Sequence, residues 1–346
     1  MSFYLKHPDN LKIDFNDTSF SLLMQKRIHK VLLIASSYDA FMLEEDGRID
    51  EQIFNEYVSL NLRYPPIFLM AHTPEEAFQI LRDDQIDLVV TMLNMGGYDT
   101  FELAHKIKDE HPNIPIVVLT QFSREVTLRL ENEDLSAIDY IFSWLGNADL
   151  LLAIIKLIED KMNAEHDVEV VGVQTILLVE NSIRYISAYL PNIYKIIFKQ
   201  SKEYVREALN EHQKMLRMRG RPKILLATTY EEAVELFEKY KHNLLGVISD
   251  ISYDRNGVRD KFAGIKLCQK IREQDEFIPF LLQSSDKEKK KLADQNNAGF
   301  IHKYSKTLSI ELRNYIIQQF AFGEFVFRDP KTMEPIGRAC DLQTLQ

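Results

Sequence analysis

The sequence predicts an α/β protein built from two doubly wound, five-stranded parallel sheets in tandem. Three observations carry that expectation. Short apolar runs alternate with segments of helical spacing, the pattern of a parallel sheet with right-handed crossovers. The same order of elements occurs twice along the chain. One run, Leu244 to Tyr253 (LLGVISDISY), carries no charge ahead of Asp250, as expected of a strand buried on both faces of a sheet.

In the first half, Val31 to Ala35 (VLLIA) reads as a strand and Ile49 to Leu60 has helical spacing. Ile67 to Met70 is a second strand, followed by a helix over Pro74 to Leu81 with Thr73 as its N-cap. Asp87 to Leu93, Ile114 to Thr120 and Ile138 to Phe142 read as strands, and Thr100 to Lys108 and Asp149 to Met162 as helices. The second half answers the first. Ile176 to Val179 matches Leu32 to Ala35, and Ala227-Thr-Thr-Tyr-Glu-Glu-Ala233 matches Ala71-His-Thr-Pro-Glu-Glu-Ala77. Gly246 to Ser249 matches Leu88 to Thr91, Ile278 to Leu282 matches Ile114 to Val118, and Phe300-Ile301 matches Tyr140-Ile141. Between the first two strands of the second copy, Tyr185 to Met218 reads as one or two long helices, broken or begun at Pro191.

The expected layout is a lead-in over residues 1–28, a first domain over 29–165, a second over 172–322 and a hairpin and tail over 323–346. The joint falls near Asn163 to Val173. Leu150 to Ile158 (LLLAIIKLI) is apolar nearly all round, whereas a surface helix carries one apolar stripe. Its extra face is expected to pack on the second domain, on the long helical segment, or on a second chain in a homodimer. In the tail, Phe325 and Phe327 alternate on one strand, Asp329-Pro330 supplies a turn and Pro335 to Arg338 returns. The final Asp341 to Gln346 looks like a helix start, which suggests a piece of something longer.

With 346 residues, 45% of them hydrophobic, the chain has material for two or three domains. A net charge of −10 argues against nucleic acid or an anionic membrane as partner. Two cysteines, Cys268 and Cys340, are too few for a disulfide framework or a zinc site and suit a reducing cytoplasm. Cys268 reads as core. MSFYLKHPDN lacks the basic and apolar regions of a signal peptide, and no apolar run nears the roughly 18 residues of a membrane helix. Lys287 to Lys291 (KEKKK) reads as a solvated helix face.

The candidate chemistry lies at the strand ends of the second domain: Glu180 and Asn181, then Asp250, Ser284 and Lys303. With the first and third strands adjacent, these residues converge on one crevice, where open α/β sheets bind ligands. Glu180, Asn181, Asp250 and the backbone carbonyl of Ser252 are oxygen ligands suited to Mg²⁺. Asp250 could take a phosphoryl group as nucleophile, with Ser284 and Lys303 on the phosphoryl oxygens. The bland alternative is a strand that simply ends in a turn-forming Asp. His302, beside Lys303, is read as structural and pointing away.

This set resembles the receiver (CheY-like) domain of two-component response regulators, whose fold is flavodoxin-like, and the resemblance covers both repeats, roughly Arg27 to Phe322. It implies an acid pair after the first strand, an acceptor Asp, a Ser or Thr and a Lys, which Asp250, Ser284 and Lys303 match, with Phe300 at an aromatic switch position. It also implies Mg²⁺ and a histidine kinase or phosphotransfer protein as donor. Asn181 departs from the acid pair and Tyr304 from a proline, and Asp254 to Ala263 makes a longer loop that could cover the acceptor. The first domain keeps the pattern without the chemistry: Ser36 and Ser37 replace the acids, Met92 the acceptor, and Ser143 and Trp144 the lysine and proline, while Thr120 remains. It is expected to be a pseudo-receiver.

The lead-in, the stretch from Ser36 to Pro66 and the tail further resemble the N-terminal regulatory region of proteins that continue into a phosphoenolpyruvate-synthase or pyruvate-phosphate-dikinase-like module. That implies a regulatory input to a downstream catalytic domain, with no enzyme activity in these residues by themselves. The competing expectation is an inert pair acting in assembly. A stand-alone enzyme and a DNA-binding regulator fit the residues less well.

Overall fold

The structure, a computed structural model, describes residues 22–43, 48–60, 62, 64–95, 98–121, 130, 133–144, 148–204, 219–320, 325–328 and 335–339. The expected turn at Asp329-Pro330, the final helix start and most of the lead-in lie outside the described residues.

The first sheet is formed by β1 (Lys30–Ile34), β2 (Ile67–Ala71), β3 (Leu88–Met92), β4 (Ile116–Thr120) and β5 (Tyr140–Ser143), all parallel, in the order β2-β1-β3-β4-β5. Its helices are α1 (Ser37–Leu43), α2 (Ile49–Ser59), α3 (Pro74–Asp83), α4 (Thr100–Glu110) and α5 (Ala148–Val171). The second sheet repeats the order: β6 (Thr175–Val179), β7 (Lys223–Ala227), β8 (Leu244–Asp250), β9 (Phe280–Ser284) and β10 (Gly299–His302) stand as β7-β6-β8-β9-β10. Its helices are α6 (Ile183–Tyr204), α7 (Tyr230–Tyr240), α8 (Ala263–Gln274), α9 (Lys290–Gln295) and α10 (Leu308–Gln319). This is the doubly wound α/β architecture expected, twice over.

Local chemistry sets the matching helix starts. Thr73 caps α3 by accepting from the Glu76 N–H, and Thr229 forms a reciprocal capping box with Glu232 at α7. KEKKK becomes a short 3₁₀ turn leading into α9. The segment after β8 is a β-hairpin, Tyr253–Arg255 against Val258–Asp260, turning through Asn256 and Gly257 at φ of 52° and 72°. It is anchored on the start of α7, where the Asn256 N–H reaches Glu231 and Arg255 lies over the Tyr230 ring. Phe325–Arg328 and Pro335–Ala339 pair as the expected antiparallel hairpin.

One sequence expectation is corrected. Pro191 lies inside α6 and neither begins nor ends it. Burial of Leu190, Ile193, Tyr194, Ile197 and Phe198 holds the helix together across the missing N–H. The stretch expected to join the repeats, Asn163 to Val173, is mostly helical, because α5 runs unbroken to Val171.

Every residue from Leu150 to Asp160 is buried, and the cover is intramolecular: α5 packs on α2, on α6 and on β7. One hydrophobic core therefore holds Leu33 and Phe142 of the first repeat together with Ile176, Ile197 and Leu281 of the second. Five polar residues of α5, Lys156, Glu159, Asp160, Asn163 and Asp167, are as buried as its apolar ones. Asp160 takes a two-pronged ion pair from Arg221 at 2.7 and 2.9 Å, a hydrogen bond from the Tyr194 hydroxyl at 2.8 Å and one from the Ile224 N–H at 3.0 Å. Lys156 pairs with Glu159 at 2.6 Å, and Asp167 with Lys223 at 2.8 Å. Asn163 and Asp167 also hold the backbone of Lys26 and Met24, which fastens the lead-in along the same helix. Those bonds carry α5 through most of the expected joint.

Removing one member of a buried, fully bonded ion pair leaves the other charge desolvated. Arg221→Ala is expected to cost about 3–5 kcal/mol. Denaturant unfolding followed on both repeats should show one shared transition moving to lower denaturant, since both draw on one core.

Candidate functional site

Asp250 ends β8 and Glu180 follows β6, so adjacent strands deliver both carboxylates to the same end of the sheet. Lys303 follows β10 and crosses β9 to reach them. Its Nζ lies 2.5 Å from Glu180 Oε2 and 3.1 Å from Asp250 Oδ2. All three are buried, and backbone N–H groups hold the remaining oxygens: Ile251 on Asp250 Oδ1 at 2.7 Å and Ser182 on Glu180 Oε1 at 3.0 Å. Burial pushes the Glu180 carboxyl up to about 7, with Lys303 opposing and Asp250 adding to the rise.

Ser284 ends β9, buried beside this group, and its hydroxyl accepts the Asp286 N–H at 3.1 Å. Phe300 is half-buried against the core that holds Phe280 and Leu282. His302 bonds the Ser285 carbonyl and Cys268 is buried. The Ser252 hydroxyl receives Arg259 Nε at 3.2 Å. Gly264, in the first turn of α8, lets that helix close on the end of β8. A Cβ there would stand 2.1 Å from the Asp250 carbonyl oxygen.

Mg²⁺ takes hard oxygen ligands. Glu180, Asn181 and Asp250 supply them from adjoining strand ends, and Asn181 Oδ1 is buried with no hydrogen-bond partner. An orphaned acceptor there suits a cation, so the residues fit the ion in kind. Among the described residues no three acidic, histidine or cysteine side chains gather as a metal cluster. The amide thus stands where a further carboxylate would strengthen the site.

Apart from Tyr304, sequence reasoning missed the aromatic side of this crevice. Tyr185, in the first turn of α6, covers Lys303, whose Nζ is 4.1 Å from the ring centroid. Tyr185 stacks on Tyr189 at 5.7 Å and meets Tyr304 edge-on at 6.3 Å. The Tyr189 hydroxyl and Gln283 Nε2 are buried without partners. No motif announces these residues; only their place in the first turns after a strand end could have.

In the first repeat the equivalent positions are spent on structure. Ser36 accepts the Asp39 N–H and donates to its carboxylate, capping α1, while Ser37 is exposed. Met92 is buried in the shared core. Thr120 donates to the Gln121 carbonyl. The Ser143 N–H donates to Ser187 Oγ of α6, across the two repeats, at 2.7 Å. A cavity of about 310 Å³ remains at these strand ends, lined by Ser36, Asp39, Met92, Leu119 and Thr120 among others.

A methyl group at Gly264 has only backbone to displace, so Gly264→Ala is expected to destabilise the protein by about 1–3 kcal/mol. Thermal unfolding measures it, and Gly257→Ala, with nothing near its Cβ, is the control for backbone strain alone.

Residues 45–155 match the model of the response regulator receiver domain family, about a third of the chain. The match falls on the repeat that carries Met92. No curated protein matches the chain. Among solved structures, it is similar to the response regulator TrrA of Thermotoga maritima, solved with Mg²⁺ and beryllofluoride, at 20% identity. That match spans 37% of this chain and 97% of the other, with a TM-score of 0.30. A phosphorylated cyanobacterial phytochrome response regulator, RcpA, is 23% identical over 39% of this chain and 93% of its own, at 0.29. A protein described as a two-component response regulator/GGDEF domain protein is 13% identical over 82% of this chain and 96% of its own, at 0.33. Residues 45–155 are thus a receiver domain of the two-component response-regulator type.

Proposed function

We propose that the chain is a regulatory module in which Asp250 accepts a phosphoryl group. The observation that carries this reading is the Lys303 ammonium 3.1 Å from Asp250 Oδ2 in a buried crevice at the end of β8. An Asp250 carboxylate oxygen attacks the donor's phosphorus in line, and the bond from phosphorus to the donor's phosphohistidine nitrogen breaks as the new P–O bond forms. Lys303 and Ser284 then offer an ammonium and a hydroxyl to the phosphoryl oxygens. When bound at Glu180, Asn181 and Asp250, Mg²⁺ would neutralise charge on those oxygens. Lys303 is paired with both Glu180 and Asp250 before transfer, so its ammonium already stands within reach of the incoming phosphoryl oxygens.

The donor in this reading is a histidine kinase or phosphotransfer protein. The first repeat, with Met92 at its acceptor position, acts as a pseudo-receiver that takes no phosphoryl group. The likeness of the lead-in and tail to phosphoenolpyruvate-synthase-type proteins supports a catalytic domain of that kind as the regulated partner.

Incubation with Mg²⁺ and acetyl phosphate should give a single phosphoryl adduct by intact mass, absent in Asp250→Asn. No adduct and no beryllofluoride binding would leave the pair as an assembly module. Because the cation needs the ionised Glu180 carboxylate, Mg²⁺ affinity should rise roughly tenfold from pH 6 to pH 8, as read by calorimetric titration. Without the cation the raised carboxyl has the opposite consequence. Its contribution to stability is present below the unfolded value near 4.5 and is lost as the pH climbs through about 7. Glu180→Gln should flatten both profiles.

A further inference from the structure

We propose that α6 is a lever joining the acceptor crevice to the first repeat, with Tyr185 as the positioning residue for Lys303. The regulatory part rests on the phospho-acceptor reading; the mechanical part does not. Tyr185 and Ser187 are two residues apart on α6, so they project from nearly opposite sides of the helix. On one side the Tyr185 ring lies against the Lys303 ammonium. On the other, Ser187 Oγ accepts the Ser143 N–H at 2.7 Å. That hydroxyl has no freedom to turn, since it donates to the Ile183 carbonyl of its own helix at 2.6 Å.

Other contacts make the linkage stiff. Ile183 packs against a first-repeat cluster of Phe101, Val118 and Leu93, the last next in sequence to Met92. Lys195 of α6 pairs with Asp149 at the start of α5 at 2.5 Å. A shift in the first turn of α6 is therefore felt at the strand ends of the first repeat, where its own acceptor chemistry is missing. A phosphoryl dianion on Asp250 draws Lys303 toward itself and off the Tyr185 ring. The lost cation–π contact loosens the first turn of α6, and the Ser143–Ser187 bond with it.

The test is amide hydrogen exchange at Ser143, with Leu32 of β1 as a reference amide inside the same repeat. Tyr185→Leu, with no phosphoryl group present, should speed exchange at Ser143 by roughly five- to tenfold, about what loss of one hydrogen bond allows, and leave Leu32 unchanged. Tyr185→Phe keeps the ring and should behave as wild type. Ser187→Ala sets the ceiling. Beryllofluoride with Mg²⁺ should speed Ser143 in the wild-type protein and add nothing in Tyr185→Leu. Unchanged Ser143 exchange in Tyr185→Leu, or equal acceleration at Leu32, overturns the lever. Intact mass on the same samples separates the two readings: if Asp250 takes neither adduct nor beryllofluoride, the acceptor reading fails while the Tyr185→Leu result still decides the lever.

Discussion

The Asp160–Arg221 pair is the contact on which the rest of the architecture depends. It lies where the last helix of the first repeat meets the edge strand of the second sheet, and α6 adds the Tyr194 hydroxyl to the same carboxylate. A buried ion pair contributes little net stability against an apolar alternative. What it contributes is geometry. A guanidinium gripping a carboxylate through two parallel bonds has one distance and one plane, and Leu or Ile in its place would let the surfaces slide. The apolar faces of α5 supply the adhesion between repeats; the polar ladder from Lys156 to Asp167 fixes their register.

The repeats share a frame and differ in what they hold at their strand ends. The second keeps Glu180, Asp250 and Lys303 desolvated together, an arrangement that stays folded only because each oxygen finds the ammonium or a backbone N–H. The first places Met92 in the core and has Ser36 cap a helix. Its strand ends hold no buried acid–lysine group, and Ser143 there serves as a contact point for α6. One repeat holds a buried acid–lysine group at its strand ends, and the other holds a contact to α6 there.

Much of this was legible in the chain. The alternation of strands and helices, the Thr-Pro-Glu-Glu and Thr-Tyr-Glu-Glu helix starts, and the meeting of Glu180, Asp250 and Lys303 all follow from local patterns that burial rewards. The family match lies on the repeat whose third strand ends in Met92. The inner face of α5 was not legible. Glu159, Asp160, Asn163 and Asp167 recur at helical spacing, and such a stripe looks the same whether water or Arg221 and Lys223 satisfy it. The proline in α6 misled for a related reason: a local rule about Pro191 yields where a long apolar face is buried. Tyr185 was invisible because its partner lies far away in sequence.

The unbroken α5 has a consequence for how such a chain can change. Where domains hang on a loop, residues can come and go while each half keeps its orientation. Here one inserted residue in the helix would swing the second repeat by about 100° and push it along by about 1.5 Å. Arg221 would then face a different side of α5 from Asp160. Spacing between the repeats is thus quantised in helical turns, and lineages carrying this pair should tolerate length changes in their loops and almost none between residues 148 and 171.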